Sequence, residues 1–236
     1  MNITPYNFAR QAINWLLPRL CINYKCELTK NESIVCASCY ESLPFQSHNC
    51  QQCGQSYSSN TDHCGRCLSK PPSFDQCFCP FEYKSSIKEL ICQIKYRERP
   101  ELAKSAAILL ANELRQQEMN LPNALIAVPM HPKRLNERGF NHSQLIAKHL
   151  SKELGIPLLS NTLIKSKHTQ TQASQSLKQR QKNVLGSFKV KKNLMPEHLA
   201  IIDDVLTTGA TAEEIAKILK KNGVDYIQVW GIAHTL

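Results

Sequence analysis

Residues 199–211, Leu199-Ala-Ile-Ile-Asp203-Asp204-Val-Leu-Thr207-Thr208-Gly209-Ala210-Thr211, pass from an apolar run through two acids into a hydroxyl-rich turn. Leu199 to Ile202 is long enough for a buried parallel strand, and the carboxylates fall where that strand should end. A helical pattern follows from Ala212 to Lys221 and stops at Gly223. The start of such a helix offers unpaired backbone N–H groups and the positive end of a dipole, which suits a phosphate. Thr207, Thr208 and Thr211 add hydroxyl donors, and Gly209 lets the backbone come close to an anion. Asp203 and Asp204 can accept hydrogen bonds from a vicinal diol. A phosphate beside a diol describes ribose 5-phosphate. Helix capping also uses acids and threonines, but two adjacent acids at a strand end are hard to obtain from capping alone.

The segment resembles the binding loop of type I phosphoribosyltransferases, which hold phosphoribosyl pyrophosphate (PRPP). Carried onto this chain, the resemblance implies a diol grip by Asp203 and Asp204. The phosphate cradle would be Thr207, Thr208, Gly209, Ala210 and Thr211.

The 236 residues allow one large domain or two smaller ones. At 42% hydrophobic and 20% charged, the composition is that of a soluble globular protein. No apolar run approaches the ~20 residues of a membrane span. The N-terminus lacks the layout of a secretory signal, so cytoplasmic residence is expected. The net charge of +10 falls almost wholly in residues 81–236, the half with the phosphate-binding stretch. That balance favours anionic ligands and leaves nucleic acid open.

Ten of the eleven cysteines lie between Cys21 and Cys79, and only Cys92 lies beyond. In a cytosolic chain such crowding argues for metal rather than disulfides. Cys36/Cys39, Cys50/Cys53 and Cys64/Cys67 have the C-x-x-C spacing of zinc knuckles, and Cys21/Cys26 is spaced by four intervening residues. Large apolar residues are too few here to build a core, so a metal must supply folding energy. Two four-thiolate sites follow: Cys21/Cys26/Cys36/Cys39 and Cys50/Cys53/Cys64/Cys67. Cys77, Cys79, His48 and His63 remain spare candidates. Closed thiolate sites leave no open position for chemistry, which makes the zinc structural.

Residues 5–20 carry an amphipathic pattern stopped by Pro18, read as a docking helix. Pro71-Pro72 marks a boundary between a module at 1–72 and a domain at 73–236. Cys77 to Tyr83 reads as a strand with apolar alternation. Helices are expected from the Ile87/Leu90/Ile91/Ile94 stripe and over about residues 101–118. Between them, Lys95-Tyr96-Arg97 is either a solvated helix end or a contact with a phosphate-bearing partner. A second buried strand, Ala124 to Val128, runs into Pro129-Met130-His131-Pro132-Lys133-Arg134, an irregular loop pinned by its prolines. Lys133, Arg134 and Arg138 crowd basic groups beside it. A helix from about Ser143 to Leu154 stops at Gly155. Residues 165–192 hold eight Lys or Arg and no acid. This basic segment could close over a polyphosphate, grip a nucleic-acid backbone, or simply be solvated. Tyr226 to Ala233 forms a last strand. Strands alternating with helices give an α/β fold with an open, mainly parallel sheet and its site at the strand carboxyl ends.

The whole order resembles the ComF family of competence-associated proteins. The carriers are the paired cysteines, Lys95-Tyr96-Arg97, Val128-Pro-Met-His-Pro132, Arg134-Leu-Asn-Glu-Arg138-Gly-Phe-Asn141, Lys167-His-Thr169 with Gln172, Arg180 with Asn183, and the Asp203–Thr211 segment. Family members usually open with C-x-x-C, whereas Tyr24 takes the second slot here and Cys26 follows. The resemblance implies a double zinc ribbon ahead of a type I phosphoribosyltransferase domain, and a role in DNA uptake during natural transformation. It implies a pyrophosphate loop of Pro129, Lys133, Arg134 and Arg138, and a flexible loop carrying Lys167, Thr169, Gln172 and Arg180. Expected ligands are structural Zn2+, PRPP or a related ribosyl phosphate with Mg2+, and single-stranded DNA, with DNA-uptake helicase or recombination proteins as candidate partners. Two functions are carried forward: a binding protein for PRPP and single-stranded DNA, and a transferase that moves ribose 5-phosphate from PRPP to an acceptor. No general base can be nominated for an acceptor. The chain starts Met1-Asn2 rather than with a glutamine-hydrolysing cysteine, so an amidotransferase is not expected.

Overall fold

Burial on both faces shapes the long strands of this chain. The computed structural model describes residues 21, 26–28, 34–97, 99–167, 184–191 and 196–235, which group into two compact units within Met1–Leu43 and Pro44–Leu236. The first unit contributes helix α1 (Ala37–Glu41), which begins after Cys36 and buries Cys39.

In the second unit, helix α2 (Gly65–Ser69) follows Cys64, and the main sheet begins at Gln76. That sheet contains β1 (Gln76–Phe78), β2 (Phe81–Glu82), β3 (Ala124–Ala127), β6 (His198–Leu206) and β7 (Tyr226–His234). Its order is β1–β7–β6–β3, with β2 also beside β7, and every pairing is parallel. The register places Ile202 opposite both Ala127 and Trp230. A further parallel bridge, Leu125 with Leu158, extends the sheet past β3. A separate antiparallel pair joins β4 (Leu163–Lys165) to β5 (Phe188–Val190).

Helix α3 (Ser85–Tyr96) packs on α4 (Leu102–Arg115), and α4 and α6 (His142–Leu154) cover one face of the sheet. Helix α7 (Ala210–Lys221) covers the other, where Ala212, Ile215, Ala216 and Leu219 meet Leu199, Ile201, Ile227 and Val229. Alternate residues of β6 therefore face opposite helical layers, and both sets must be apolar. Ala124 to Ala127 and Leu199 to Ile202 are all buried.

Several elements depart from the sequence reading. The acids were expected at the end of the strand, but β6 runs through them because Val205 and Leu206 still pair with Ala233 and His234. The strand expected over Cys77 to Tyr83 is split into β1 and β2 around Cys79-Pro80, since Pro80 has no N–H to give a ladder. The Pro80 carbonyl instead accepts from Gln46 N at 2.8 Å. The irregular loop after β3 gives way to a short helix, α5 (Pro132–Arg138). Pro132 serves as a first-turn proline, and Gly139 (φ 80) ends the helix in the left-handed region. The β4–β5 pair was not anticipated. The docking helix at 5–20 and most of the basic segment, 168–183, lie outside the described residues. Among the described residues, no helix is long and apolar enough to cross a membrane.

Candidate functional site

The thiols gather into two sets. In the first unit, Cys21, Cys26 and Cys36 lie within 4.8 Å of one another, and Cys21 Sγ is 3.4 Å from Cys39 Sγ. In the second, Cys50, Cys53, Cys64 and Cys67 are all buried, with Sγ separations of 3.8 Å (Cys53 to Cys64) and 3.9 Å (Cys50 to Cys67). A tetrahedral zinc with Zn–S bonds of ~2.3 Å requires S–S edges of about 3.8 Å. The buried set therefore fits a structural zinc without rearrangement. The spare candidates go elsewhere. Cys77 and Cys79 are part of the apolar core of the sheet, His48 is exposed, and His63 Nδ1 meets Gln52 at 2.9 Å.

Asp203 and Asp204 stand near the carboxyl end of β6, where three helices bring partners to them. Lys95, on the last turn of α3, places Nζ 2.5 Å from Asp204 Oδ2. His142, at the first position of α6, places Nε2 3.3 Å from the same oxygen. Ser143 donates its hydroxyl to Asp203 Oδ1 at 2.9 Å. Arg138 Nη1 lies 3.0 Å from His142 Nδ1. A guanidinium has only donors, so Nδ1 accepts, and Nε2 carries the proton on the side of the ring that lies 3.3 Å from Asp204 Oδ2. The Tyr96 ring lies under the Arg138 guanidinium, 5.4 Å from centroid to Cζ.

The pair of acids is electrostatically split. Burial, with Asp204 alongside, pushes the Asp203 carboxyl up to about 7. Burial also pushes Asp204 upward, but electrostatic attraction to His142 and to Lys95, together with the Lys95 ammonium and the Val205 N–H as donors, holds that carboxyl below its ordinary value. Burial lowers Lys95, yet the two acids prevail and leave it raised. For His142, burial outweighs Asp204 and pushes the ring down to about 4, so it is neutral at pH 7. Asp204 is thus a fixed carboxylate, while Asp203 titrates near neutrality.

The turn after β6 delivers Gly209 at φ 73, a conformation that disfavours any side chain. Helix α7 starts at Ala210, whose N–H reaches Thr208 Oγ1 at 3.3 Å. Thr207, Thr208, Gly209, Ala210 and Thr211 wrap the helix start, where anions are favoured, with Thr207 exposed and the others half-buried. Glu213 in the first turn accepts from Ser73 N at 2.7 Å, and Glu214 accepts from Gly186 N at 2.6 Å.

The loop after β3 is tied down by Asn141. Its Oδ1 accepts from Ser143 N at 3.1 Å as the N-cap of α6, and its Nδ2 donates to Val128 O at 3.0 Å. Lys133 is exposed, Arg134 half-buried, and Arg138 engaged with His142 and Tyr96. A cavity of about 720 Å³ separates this loop from the β4–β5 pair, with Pro129, Met130, Asn141, Lys165 and Lys191 among its walls. Burial, with Arg134 nearby, holds the Lys165 ammonium below its ordinary value. Lys167 Nζ donates to Leu185 O at 3.3 Å, whereas Thr169, Gln172 and Arg180 lie outside the described residues.

The structure therefore brings Asp203 and Asp204 together with Lys95, His142 and Ser143 and ties Asn141 to the loop after β3, and neither composition nor periodicity singled out any of the four. Asn141 had a readable signal: an Asn three residues past a basic turn and directly before a helix is an N-cap. Lys95 was marked as part of Lys95-Tyr96-Arg97, a carrier of the family resemblance read as a solvated helix end or a phosphate contact, but only the fold carries it to Asp204.

Comparison with known proteins places these features in a family. Residues 12–68 match a family model described as a double zinc ribbon domain. Competence protein F of Haemophilus influenzae is 35% identical over 223 residues, covering 90% of this chain and 96% of that protein. The DNA utilization protein YhgH of Escherichia coli K12 is 32% identical over 224 residues, covering 93% and 99%. Competence protein ComFC of Streptococcus pneumoniae is 24% identical over 152 residues, covering 64% and 65%. Similar solved structures include a purine phosphoribosyltransferase from Pyrococcus horikoshii (20% identity, 56% of this chain and 82% of that chain, TM-score 0.33). An adenine phosphoribosyltransferase from Leishmania tarentolae is another (14% identity, 70% and 92%, TM-score 0.39). The 35% identity to competence protein F over 90% of this chain and 96% of that protein shows that the chain belongs to the ComF family of competence proteins.

Proposed function

We propose that this protein serves DNA uptake and use in the cytoplasm by holding a ribosyl 5-phosphate, with PRPP as the preferred form. The observation that carries this reading is the sequence of groups at one strand end. Two adjacent acids, Asp203 half-buried and Asp204 buried, lead through a left-handed glycine into the N-terminus of α7. Carboxylates accept from the two ribose hydroxyls while the helix start and the Thr207–Thr211 turn take the phosphate. The diphosphate of PRPP would extend toward Pro129, Lys133 and Arg134, and Mg2+ would enter as part of that substrate. Arg138 supports the same end indirectly, by fixing the tautomer of His142.

Single-stranded DNA is the second partner in this reading. The net charge of +10 and the basic segment 165–192 suit a phosphate backbone, and the competence names of the relatives supply the context. A helicase or recombination protein of the uptake pathway would receive that strand. A phosphoribosyl transfer remains the second reading, favoured by the cavity of about 720 Å³ beside the diphosphate loop, a size that admits an acceptor.

Calorimetry with PRPP and Mg2+, followed by an assay for released pyrophosphate, tests both. Saturable binding at one site per chain without pyrophosphate supports the binding protein. Catalytic release with a nucleobase or amine acceptor supports the transferase. Absence of any binding discards the ribosyl-phosphate reading altogether.

A further inference from the structure

We propose that the Lys95 ammonium occupies the cation position of the Asp203–Asp204 grip, so that the acids bind a ribosyl 5-phosphate without a divalent ion of their own. This rests on the ribosyl-phosphate reading above. One ring nitrogen of His142 and one carboxylate oxygen from each acid lie within 4.8 Å of one another, a nitrogen and two oxygens of the kind that divalent ions favour. Each metal-facing position on Asp204 and His142 is nevertheless taken. Asp204 Oδ2 carries Lys95 Nζ at 2.5 Å, and Lys95 is only 17% exposed. His142 Nδ1 faces Arg138 at 3.0 Å, which leaves the proton on Nε2 and no lone pair there for a metal. A divalent ion at this point would have to displace a buried ammonium, reverse the imidazole tautomer and sit close to Arg138. The residues do not fit a metal; they fit an internal cation.

Lys95 is in this account a positioning residue. Its charge keeps Asp204 ionised in a buried place, while the other carboxylate oxygen, Oδ1, accepts from Val205 N at 2.7 Å. Any divalent ion that accompanies PRPP belongs to the diphosphate, which ribose 5-phosphate lacks.

The test is calorimetry of the zinc-loaded full chain with ribose 5-phosphate, in chelator-free buffer prepared without divalent ions and again in Mg2+. The expected result is the same affinity in both, to within about twofold, the scatter expected of context-dependent charge effects. Binding that collapses without Mg2+ overturns the role of Lys95 and leaves the ribosyl reading intact, whereas absence of binding in either buffer overturns that reading itself. Lys95→Gln should lose about tenfold or more in the buffer without divalent ions, the order expected when a buried charge pair is broken. Adding Mn2+ should recover the loss, and Lys95→Arg should need no metal. Electron paramagnetic resonance with Mn2+ alone should detect a bound ion in Lys95→Gln and none in the native chain. Mn2+ bound tightly to the native acids, or unchanged metal-free binding in Lys95→Gln, contradicts the proposal, and the native-chain measurements decide it even if that variant folds poorly.

Discussion

Asp204 shows how much a single buried carboxylate depends on its neighbours. It is 4% exposed, and its charge is kept only because Lys95 and the His142 ring meet the same oxygen. Lys95→Met would leave that charge uncompensated, and we expect a loss of about 3–5 kcal/mol of stability, read as a lower midpoint in urea. A change under about 1 kcal/mol would mean the pair is solvated rather than buried. Asp203 behaves differently. Burial and its charged neighbour raise its carboxyl to about 7, so it is partly protonated where Asp204 is not. The protonated form is favoured in the folded chain, and an acid that must accept from a hydroxyl works best ionised. Ribose 5-phosphate affinity should therefore rise between pH 6 and pH 8, and Asp203→Asn should flatten that profile. The two acids were legible in the sequence because they adjoin an apolar run. Lys95 and His142 were not, since nothing local in Lys95-Tyr96-Arg97 or Asn141-His142-Ser143 reveals a meeting with β6.

At the scale of elements, the site depends on where helices start. Gly209 at φ 73 turns β6 into α7, and Gly209→Val would force a β-branched residue into the left-handed region. Phosphate-bearing ligands should bind at least tenfold more weakly to that variant, a loss of ~1.4 kcal/mol, and thermal unfolding should come earlier. Asn141 joins two elements at once, capping α6 and holding the Val128 carbonyl. Asn141→Ala should cost about 1 kcal/mol through the lost cap and weaken PRPP more than ribose 5-phosphate, because only the former reaches the loop after β3. Equal weakening of both ligands would count against that loop as a diphosphate site. The sequence showed α7 and α6 clearly through their periodicity and glycine stops. It hid α5, because two prolines read as breakers when Pro132 is a favoured first-turn residue. The β4–β5 pair stayed unread because it joins short strands far apart in the chain, with polar residues between them.

For the whole molecule, the thiolate sets and the basic charge make separate contributions. Elemental analysis of the purified chain should give two zinc ions, and Cys53→Ala should give one, with a lower unfolding temperature. Retention of two ions in that variant would mean that Cys53 is not a ligand. Single-strand DNA affinity should fall steeply with salt, as backbone neutralisation requires. An affinity that stays flat between low and moderate salt would remove DNA as a charge-bound partner. The parallel sheet and the cysteine pairs were readable at this scale because both follow from local spacing, whereas the grouping of the Cys50–Cys67 set with the sheet unit depends on long-range contacts such as Cys77 N to Gln51 O at 2.8 Å.

The grip on a vicinal diol has one direct test: paired titrations of the native chain with ribose 5-phosphate and 2-deoxyribose 5-phosphate. The account predicts that the 2-hydroxyl is worth about tenfold or more in affinity, the order expected for hydrogen bonds to a charged acceptor. It also predicts that Asp203→Asn with Asp204→Asn erases the difference while each phosphate is still held. Equal affinity of the native chain for the two sugars would contradict it.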